Sequence, residues 1–425
     1  MNDNEFWNSI SSQGPASVAA GMSSADAQRL TETYGAHNYH PLPVTVARAE
    51  GAWVYDPDGR AYIDCIGAYS AVAHGHLSPA LIEVVRQQLA VSTLTSRAVY
   101  TPQLALFLEG LCRFTRMDMA CPMNTGAEAV ETAIKIARKW GYTRKGIPDG
   151  QAEILVADEN FHGRTTTIIG FSSEPKYRAH FGPFTPGFVS VPLGDLNALA
   201  AAMTPNTAAV LLEPIQAEAG ILIPPDGYMA DVRALCTKNN VLLVWDEIQT
   251  GFGRTGRDFA WQHEDAKPDL MCLGKALGGG ILPVSAVVGS RDAVSVFEPG
   301  DHGSTFGGNP LACVVALAAM AEIETRGLSN RSARMGRRLL DGMATLNHPM
   351  IEAIRGRGLL VGLEVHTGTD TTALTAAFLA QGLLTKETRH RTFRFAPPLM
   401  IDEDLVDEIV NRVRQALTSV STRVR

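Results

Sequence analysis

Two residues offer chemistry that the rest of the chain has to position. Lys275 follows Gly274 at the end of the apolar run 269–273, with Ala276 and the glycines 278–280 behind it. A lysine in such surroundings is partly desolvated, which lowers its pKa and makes its amine nucleophilic toward a carbonyl carbon. Asp246 ends a second apolar run, 241–245, and stands 29 residues before Lys275. A carboxylate at a neighbouring strand end is what a pyridine nitrogen needs in order to stay protonated. Spacing alone equally allows a surface salt bridge between the two.

Three further stretches bear on the same chemistry. Thr125 and Glu128 form a T-x-x-E capping box at the head of a helical pattern over 127–140. Between them Gly126 lets backbone amides approach a ligand at the positive end of that helix, a ready phosphate site; a well-capped helix and nothing more is the plainer reading. Asn160-Phe161-His162-Gly163-Arg164 follows the apolar run 153–157. Phe161 could stack on a flat heterocycle or simply join the core, and Arg164 could pair bidentately with a carboxylate. The glycine-rich loop 301–310 carries the hydroxyls of Ser304 and Thr305. Phosphate, aromatic ring, ring nitrogen and aldehyde carbon thus match Gly126 and Ala127, Phe161, Asp246 and Lys275. The cofactor that unites them is pyridoxal 5′-phosphate.

The elements that must hold these groups follow from the pattern. Runs of about five apolar residues at 153–157, 208–212, 241–245 and 269–273 show no alternation, as expected for strands buried on both faces of a mostly parallel sheet. Helical patterns lie between them, among them 231–239 and 127–140, the latter with a Glu131–Lys135 pair at i,i+4. This is an α/β domain, and its ligands belong beyond the C-terminal strand ends. The flanks differ. Residues 44–65 read as a β-hairpin around Pro57-Asp58-Gly59, and strands are expected near 358–365 and 393–396. The expected organisation is a loose arm over 1–32, a large domain over 75–326, and one smaller α+β domain assembled from 33–74 and 327–425.

Composition narrows the class. The 425 residues carry 37 Lys+Arg against 44 Asp+Glu, net −7, with no basic run, so nucleic acid and anionic membrane are not expected partners. No apolar stretch approaches the ~20 residues that span a bilayer, and 311–321 has only the length of a core helix. No basic residue precedes Arg29, which argues against a signal or transit segment. The six cysteines are scattered without a C-x-x-C pair, so a reducing cytoplasm is the expected compartment. His74-Gly-His76 lacks a third ligand, and no metal is expected.

Several stretches, in order, resemble the class III pyridoxal-phosphate aminotransferases: Met123-Asn-Thr-Gly-Ala-Glu-Ala129, Asn160-Phe-His-Gly-Arg-Thr165, Glu213-Pro-Ile-Gln-Ala-Glu218, Asp246-Glu-Ile-Gln249-Thr-Gly and Leu273-Gly-Lys275. Within that class the chain is most similar to the ornithine δ-aminotransferase branch, through Tyr34-Gly-Ala-His-Asn-Tyr39, Tyr69-Ser-Ala-Val, Leu94-Thr-Ser-Arg, 302–310 and Arg394-Phe-Ala-Pro-Pro. The resemblance implies a fold-type I transferase with a seven-stranded large-domain sheet, acting as a homodimer with active sites at the interface. It makes Lys275 the cofactor-bearing lysine and proton carrier, and Asp246 the partner of the pyridinium. Gln249 would lie near the ring oxygen, Phe161 on the ring, and Gly126 and Ala127 at the phosphate, joined by Thr305 and Ser304 from the other subunit.

For substrates, the resemblance implies L-ornithine and 2-oxoglutarate. Arg164 would take the distal carboxylate, Tyr39 and Tyr69 would line the pocket, and Glu218 with Arg394 would form a gate. Three departures from the family pattern, His162, Ala217 and Leu282, are expected to reshape the substrate pocket. An acetylornithine or 4-aminobutyrate aminotransferase is the alternative within the class. A different pyridoxal-phosphate reaction and a binding protein on the same fold are the more remote readings.

Overall fold

The computed structural model describes residues 3–421. At its centre is a seven-stranded sheet whose strands lie in the order Met119–Met123, Ser285–Gly289, Leu270–Leu273, Leu242–Asp246, Thr207–Leu212, Glu153–Ala157 and Phe188–Val191. All neighbours pair parallel except Ser285–Gly289, which runs antiparallel to both of its own. The apolar runs lack alternation because both faces are covered. Ile154, Val156, Leu242, Val244 and Cys272 meet Val130, Ile134 and Ala137 of the helix Gly126–Trp140 on one side. Their neighbours Leu155, Leu243, Trp245, Met271 and Leu273 meet Val232 and Cys236 of Tyr228–Lys238, and Cys313, Ala316 and Met320 of Pro310–Thr325, on the other. Side chains two apart share a face, so each strand serves two cores.

Three sheet strands were not legible as apolar runs. Met119–Met123 contains Pro122, tolerated because this strand lies at the sheet edge. Phe188–Val191 is half-exposed, on the opposite edge. Ser285–Gly289 carries only the short apolar run 286–288, which the pattern of longer runs did not pick out.

Both chain ends join in the smaller sheets. Arg48–Glu50, Trp53–Tyr55 and Ala61–Asp64 form an antiparallel meander, and Leu383–Leu384 adds to it in parallel beside Ile63 and Asp64. The turn at 56–60 is held by Asp56 Oδ1, which accepts from Asp58 N and Arg60 N, with Gly59 at φ 84°. The strand expected near 358–365 is two strands, Ile351–Arg357 and Leu360–Val365, with Gly358 as the turn at φ 57°. Thr392–Phe395 and Lys386–Glu387 complete that sheet.

Two expectations change in detail. The N-terminal segment is helical over Asp3–Gln13, Pro15–Ala20 and Ser24–Tyr34, and the last two helices bury no residue. Of these two, Ser24–Tyr34 is capped locally, Ser23 Oγ accepting from Asp26 N, whereas Pro15–Ala20 starts at Gly14 with no side-chain cap. Glu131 and Lys135 do not pair with each other. Glu131 accepts from Thr165 Oγ1, and Lys135 Nζ donates to Asp301 O at 2.8 Å. The loop 301–310 is thereby tied to the flank of the helix Gly126–Trp140.

The loop after Asp246 is fastened to the C-terminal part of the chain. Arg254 is buried and donates to Leu359 O at 2.8 Å and Pro397 O at 2.6 Å, and burial pulls its pKa down to about 9. Beside it the helix Leu328–Ala344 crosses the Gly358 turn so closely that a Cβ at Gly336 would lie 2.0 Å from Gly358 O. Alanine is favoured over glycine inside a helix by about 1 kcal/mol. Here the backbone collision outweighs that gain. Gly336→Ala should lower stability by about 1–3 kcal/mol, read as a lower midpoint of chemical denaturation.

Candidate active site

Because the strands run parallel, the ends of 119–123, 153–157, 207–212, 242–246 and 270–273 open at one edge of the sheet. A cavity of about 260 Å³ lies there, lined by Gly126, Ala127, Phe161, His162, Gly163, Glu213, Ile215, Asp246, Ile248, Gln249, Thr250 and Lys275. Of the residues picked from the sequence, Gly126, Ala127, Phe161, Asp246, Gln249 and Lys275 meet in it.

Lys275 sits at φ 44°, a left-handed conformation that a non-glycine residue adopts only when its surroundings enforce it. Burial lowers the pKa of its amine, and the opposing pull of Asp246 and Glu218 does not restore it. Lys275 is therefore suited to nucleophilic attack. Asp246 is held on both oxygens: Oδ1 accepts from Ile248 N at 3.1 Å, and Oδ2 accepts from His162 Nδ1 at 2.7 Å. Burial opposes a charge on His162, but the Asp246 carboxylate outweighs it and the net shift of the imidazole is upward. His162 Nε2 is buried without a partner. His162 thus forms part of the cavity wall and, in addition, orients Asp246.

The helix Gly126–Trp140 starts with its capping box closed. Glu128 N donates to Thr125 Oγ1 at 3.3 Å, while Glu128 Oε2 accepts from Asn124 N and Thr125 N. Among the described residues, the amides of Gly126 and Ala127 have no acceptor, and both residues line the cavity. A Cβ at Gly126 would lie 3.0 Å from Ile248 Cδ1, so the glycine keeps this corner open. Two free amides at a helix N-terminus, an aromatic ring, a buried carboxylate and a buried lysine in one cavity fit pyridoxal 5′-phosphate.

Glu213 was not singled out from the sequence. It follows the fully buried strand Thr207–Leu212, the same strand-end signal that identified Asp246. Its Oε2 accepts from Phe161 N at 2.9 Å. Burial pushes its pKa up to about 8; His162 pulls it down and Asp246 pushes it further up.

A second cluster adjoins the cavity. Arg394 Nη1 donates to Glu218 Oε1 at 2.6 Å and to Gln249 Oε1 at 3.3 Å. Arg394 is 3% exposed, and its guanidinium carbon lies 5.0 Å from the Tyr69 ring centroid. Burial raises the Glu218 pKa, but Arg394 lowers it more, and the carboxylate stays charged. Tyr69 is half-buried with its phenol pKa raised by burial, whereas its neighbour Tyr39 is exposed.

Other residues fall outside the cavity. Arg164 is exposed, its guanidinium carbon 3.5 Å from the Tyr177 ring centroid and 5.6 Å from that of Phe161. Ser304 accepts from Asn124 Nδ2 at 2.9 Å, and with Thr305 it lines a separate groove beside Leu94, Thr95, Ser96 and Arg97. Ala217 is buried against Ile215, Ile221 and Leu360, and Leu282 packs on the main core, so neither faces the cavity. His74 Nε2 lies 3.0 Å from Ala319 O and His76 Nε2 2.8 Å from Asp64 Oδ2, two separate environments.

Residues 34–417 match the family model of class-III aminotransferases. An ornithine aminotransferase from Brevibacillus brevis is 53% identical over 387 residues, 91% of this chain and 96% of that protein. The structure of an ornithine aminotransferase from Toxoplasma gondii, with pyridoxal phosphate at partial occupancy in its active site, superposes with a TM-score of 0.94 at 37% identity, covering 100% of this chain and 99% of that one. An acetylornithine aminotransferase from Elizabethkingia anophelis gives 0.85 at 40% identity, over 94% of this chain and all of its own. The chain belongs to the class-III aminotransferase family. It is a pyridoxal-phosphate-dependent enzyme that transfers amino groups.

The Glu213 shift carries a sign. The folded protein keeps this proton up to about pH 8, while the unfolded chain releases it near the ordinary value of 4.5. The folded state binds the extra proton, so stability falls as pH rises through that window. Cofactor-free Glu213→Gln should lose less thermal stability than wild type between about pH 5 and pH 8.5, measured by melting curves across pH.

Proposed function

We propose that the enzyme is an ornithine δ-aminotransferase, moving the δ-amino group of L-ornithine to 2-oxoglutarate and yielding glutamate 5-semialdehyde and glutamate. The observation that carries this reading is the ion pair of the buried Arg394 with the partly buried Glu218 beside the Lys275 cavity. Ornithine has one carboxylate and must present its δ-amine to the reacting centre. An unpaired Arg394 there would capture the α-carboxylate and bring in the α-amine instead. Glu218 masks that charge, leaving the exposed Arg164 to take the single carboxylate. Oxoglutarate has two carboxylates, and its arrival requires Arg394 to exchange Glu218 for one of them, with Gln249 already touching the guanidinium.

Gly126 and Ala127 would hold the cofactor's phosphate, Phe161 its ring, Asp246 its ring nitrogen and Lys275 its aldehyde carbon. When bound, pyridoxal phosphate supplies a carbonyl for the amine and an electron sink for the reacting carbon. The chain's residues supply the rest. His162 fixes Asp246, whose carboxylate keeps the ring nitrogen protonated. The Lys275 amine, poised by its lowered pKa, takes the proton from ornithine's δ-carbon and returns one in the second half-reaction. Tyr39 and Tyr69 would line the donor's path.

The same reading includes a homodimer. Ser304 and Thr305 lie outside their own chain's cavity, in a groove lined by the exposed Leu94, and Val99, Tyr100 and Phe306, close by in sequence, are exposed as well. A second copy covering this surface would receive the two hydroxyls at its own Gly126 and Ala127. Residues 75–326 then act as the cofactor-binding domain, with 33–74 and 327–425 as the smaller domain.

A second reading is N-acetylornithine as donor, favoured by the likeness to the Elizabethkingia enzyme. Three measurements test the proposal. The purified protein should be yellow, and borohydride should attach the cofactor to the peptide containing Lys275, with Lys275→Ala abolishing both. Assay with L-ornithine and 2-oxoglutarate should form pyrroline from the cyclised semialdehyde; much faster turnover of N-acetylornithine or 4-aminobutyrate would replace the ornithine reading. Glu218→Ala should raise α-transamination of glutamate relative to δ-transamination of ornithine by about tenfold, equivalent to about 1.4 kcal/mol.

A further inference from the structure

We propose that Tyr177 is a positioning residue for substrate recognition: its ring holds the Arg164 guanidinium flat so that the N–H edge is presented to a substrate carboxylate. The inference rests on the reading of Arg164 as the carboxylate anchor. An arginine on a surface has many rotamers, and nothing in its own backbone selects one. The backbone around Arg164 is set by Gly163 at φ 131° and by Thr165, whose Oγ1 caps the helix Thr166–Gly170. The side chain has a different restraint. Among the described residues no carboxylate pairs with it, and its guanidinium carbon lies 3.5 Å from the Tyr177 ring centroid, which is face-to-face contact.

The chemistry of that contact suits the role. A carboxylate neighbour would orient Arg164 but consume its charge and its paired N–H groups. An aromatic face orients the guanidinium through its flat side and leaves the edge open for bidentate pairing. Tyr177 can do this only if it is fixed itself. Its amide donates to Glu174 O at 3.0 Å, its ring meets Phe161 edge-on at 6.4 Å, and Arg389 lies 5.3 Å from the ring centroid, electrostatically close to the hydroxyl.

Arg389 connects this platform to the gate. Its guanidinium pairs with Glu159 at 3.3 Å, and its backbone N–H donates to Glu218 O at 3.2 Å. The anchor for the substrate carboxylate and the acid that masks Arg394 therefore hang from one residue. Tyr177 also joins the anchor to Phe161, which lines the cavity. The distance between the carboxylate site and the reacting centre is thus set by two rings in edge-on contact, and a donor is selected by the reach between its amine and its carboxylate.

The test uses the cofactor-loaded enzyme with two probes: pentanoate, a carboxylate without an amine, as inhibitor, and butane-1,4-diamine, an amine donor without a carboxylate. Tyr177→Ala should raise the inhibition constant of pentanoate and the KM for ornithine about fivefold to tenfold, with the loss in KM rather than kcat. Turnover of the diamine should stay at the wild-type level, and Tyr177→Phe should restore pentanoate binding because it keeps the ring face. In an Arg164→Ala background, Tyr177→Ala should add nothing further. Wild-type pentanoate inhibition in Tyr177→Ala, or an equal loss with the diamine, overturns the proposal. Undiminished pentanoate inhibition in Arg164→Ala alone would instead show that the anchor is elsewhere, and the role of Tyr177 would fall with it. Neither result depends on which ω-amino acid is the natural donor.

Discussion

A carboxylate taken out of water has to be compensated, and at Asp246 the compensation organises the whole site. With 5% exposure its charge is sustained by His162 on one oxygen and the Ile248 amide on the other. That negative charge acts on everything near it. It raises the His162 pKa, helps hold a proton on Glu213 to about pH 8, and partly offsets the desolvation of Lys275. A positively charged ring nitrogen arriving at Asp246 would settle into a field already prepared for it. The cost of preparing that field falls on folding, through buried polar atoms such as His162 Nε2 that lack partners.

The Arg394–Glu218 pair rests on the same electrostatics. Arg394 holds the Glu218 carboxylate charged at 2.6 Å, with Gln249 as an alternative acceptor for the guanidinium at 3.3 Å. A buried ion pair of this kind contributes little net stability, but removing either member leaves an expensive charge. In the proposed gate, a substrate carboxylate would replace Glu218 without leaving Arg394 bare. Arg164 differs in that an aromatic face, not a carboxylate, holds it, so its guanidinium edge carries no paired acid among the described residues.

Much of this was legible in the residues. Asp246 and Lys275 announce themselves because apolar runs in a parallel sheet end at a common edge, and the residues following such runs face ligand. The same rule points to Glu213, which closes the run before it. The capping box at Thr125 and Glu128 is a local motif and forms as the spacing requires. The partners of the functional residues were far less visible. His162 was expected to alter a pocket, and only the approach of its loop to the end of the strand Leu242–Asp246 makes it the brace of Asp246. Glu131 and Lys135 have helical spacing yet find Thr165 and Asp301, because other loops reach them first.

Local quantities follow from the residues alone: that the apolar runs 153–157, 208–212, 241–245 and 269–273 become strands, where the helix after Asn124 begins, and which side chains carry a nucleophile, an acid or a cation. Those follow from periodicity and chemical type within a few residues of chain. The tertiary structure decided pairings between distant segments: Leu383 beside Ile63, Arg254 on Leu359 and Pro397, Arg394 on Glu218, Arg164 on Tyr177. No local pattern encodes them, because a side chain's partner is whichever group the packing of both cores delivers to it. The values of the buried charges belong to that second category as well. A pKa depends on which charges and how much water surround a group, and both are set only when the chain has closed around it.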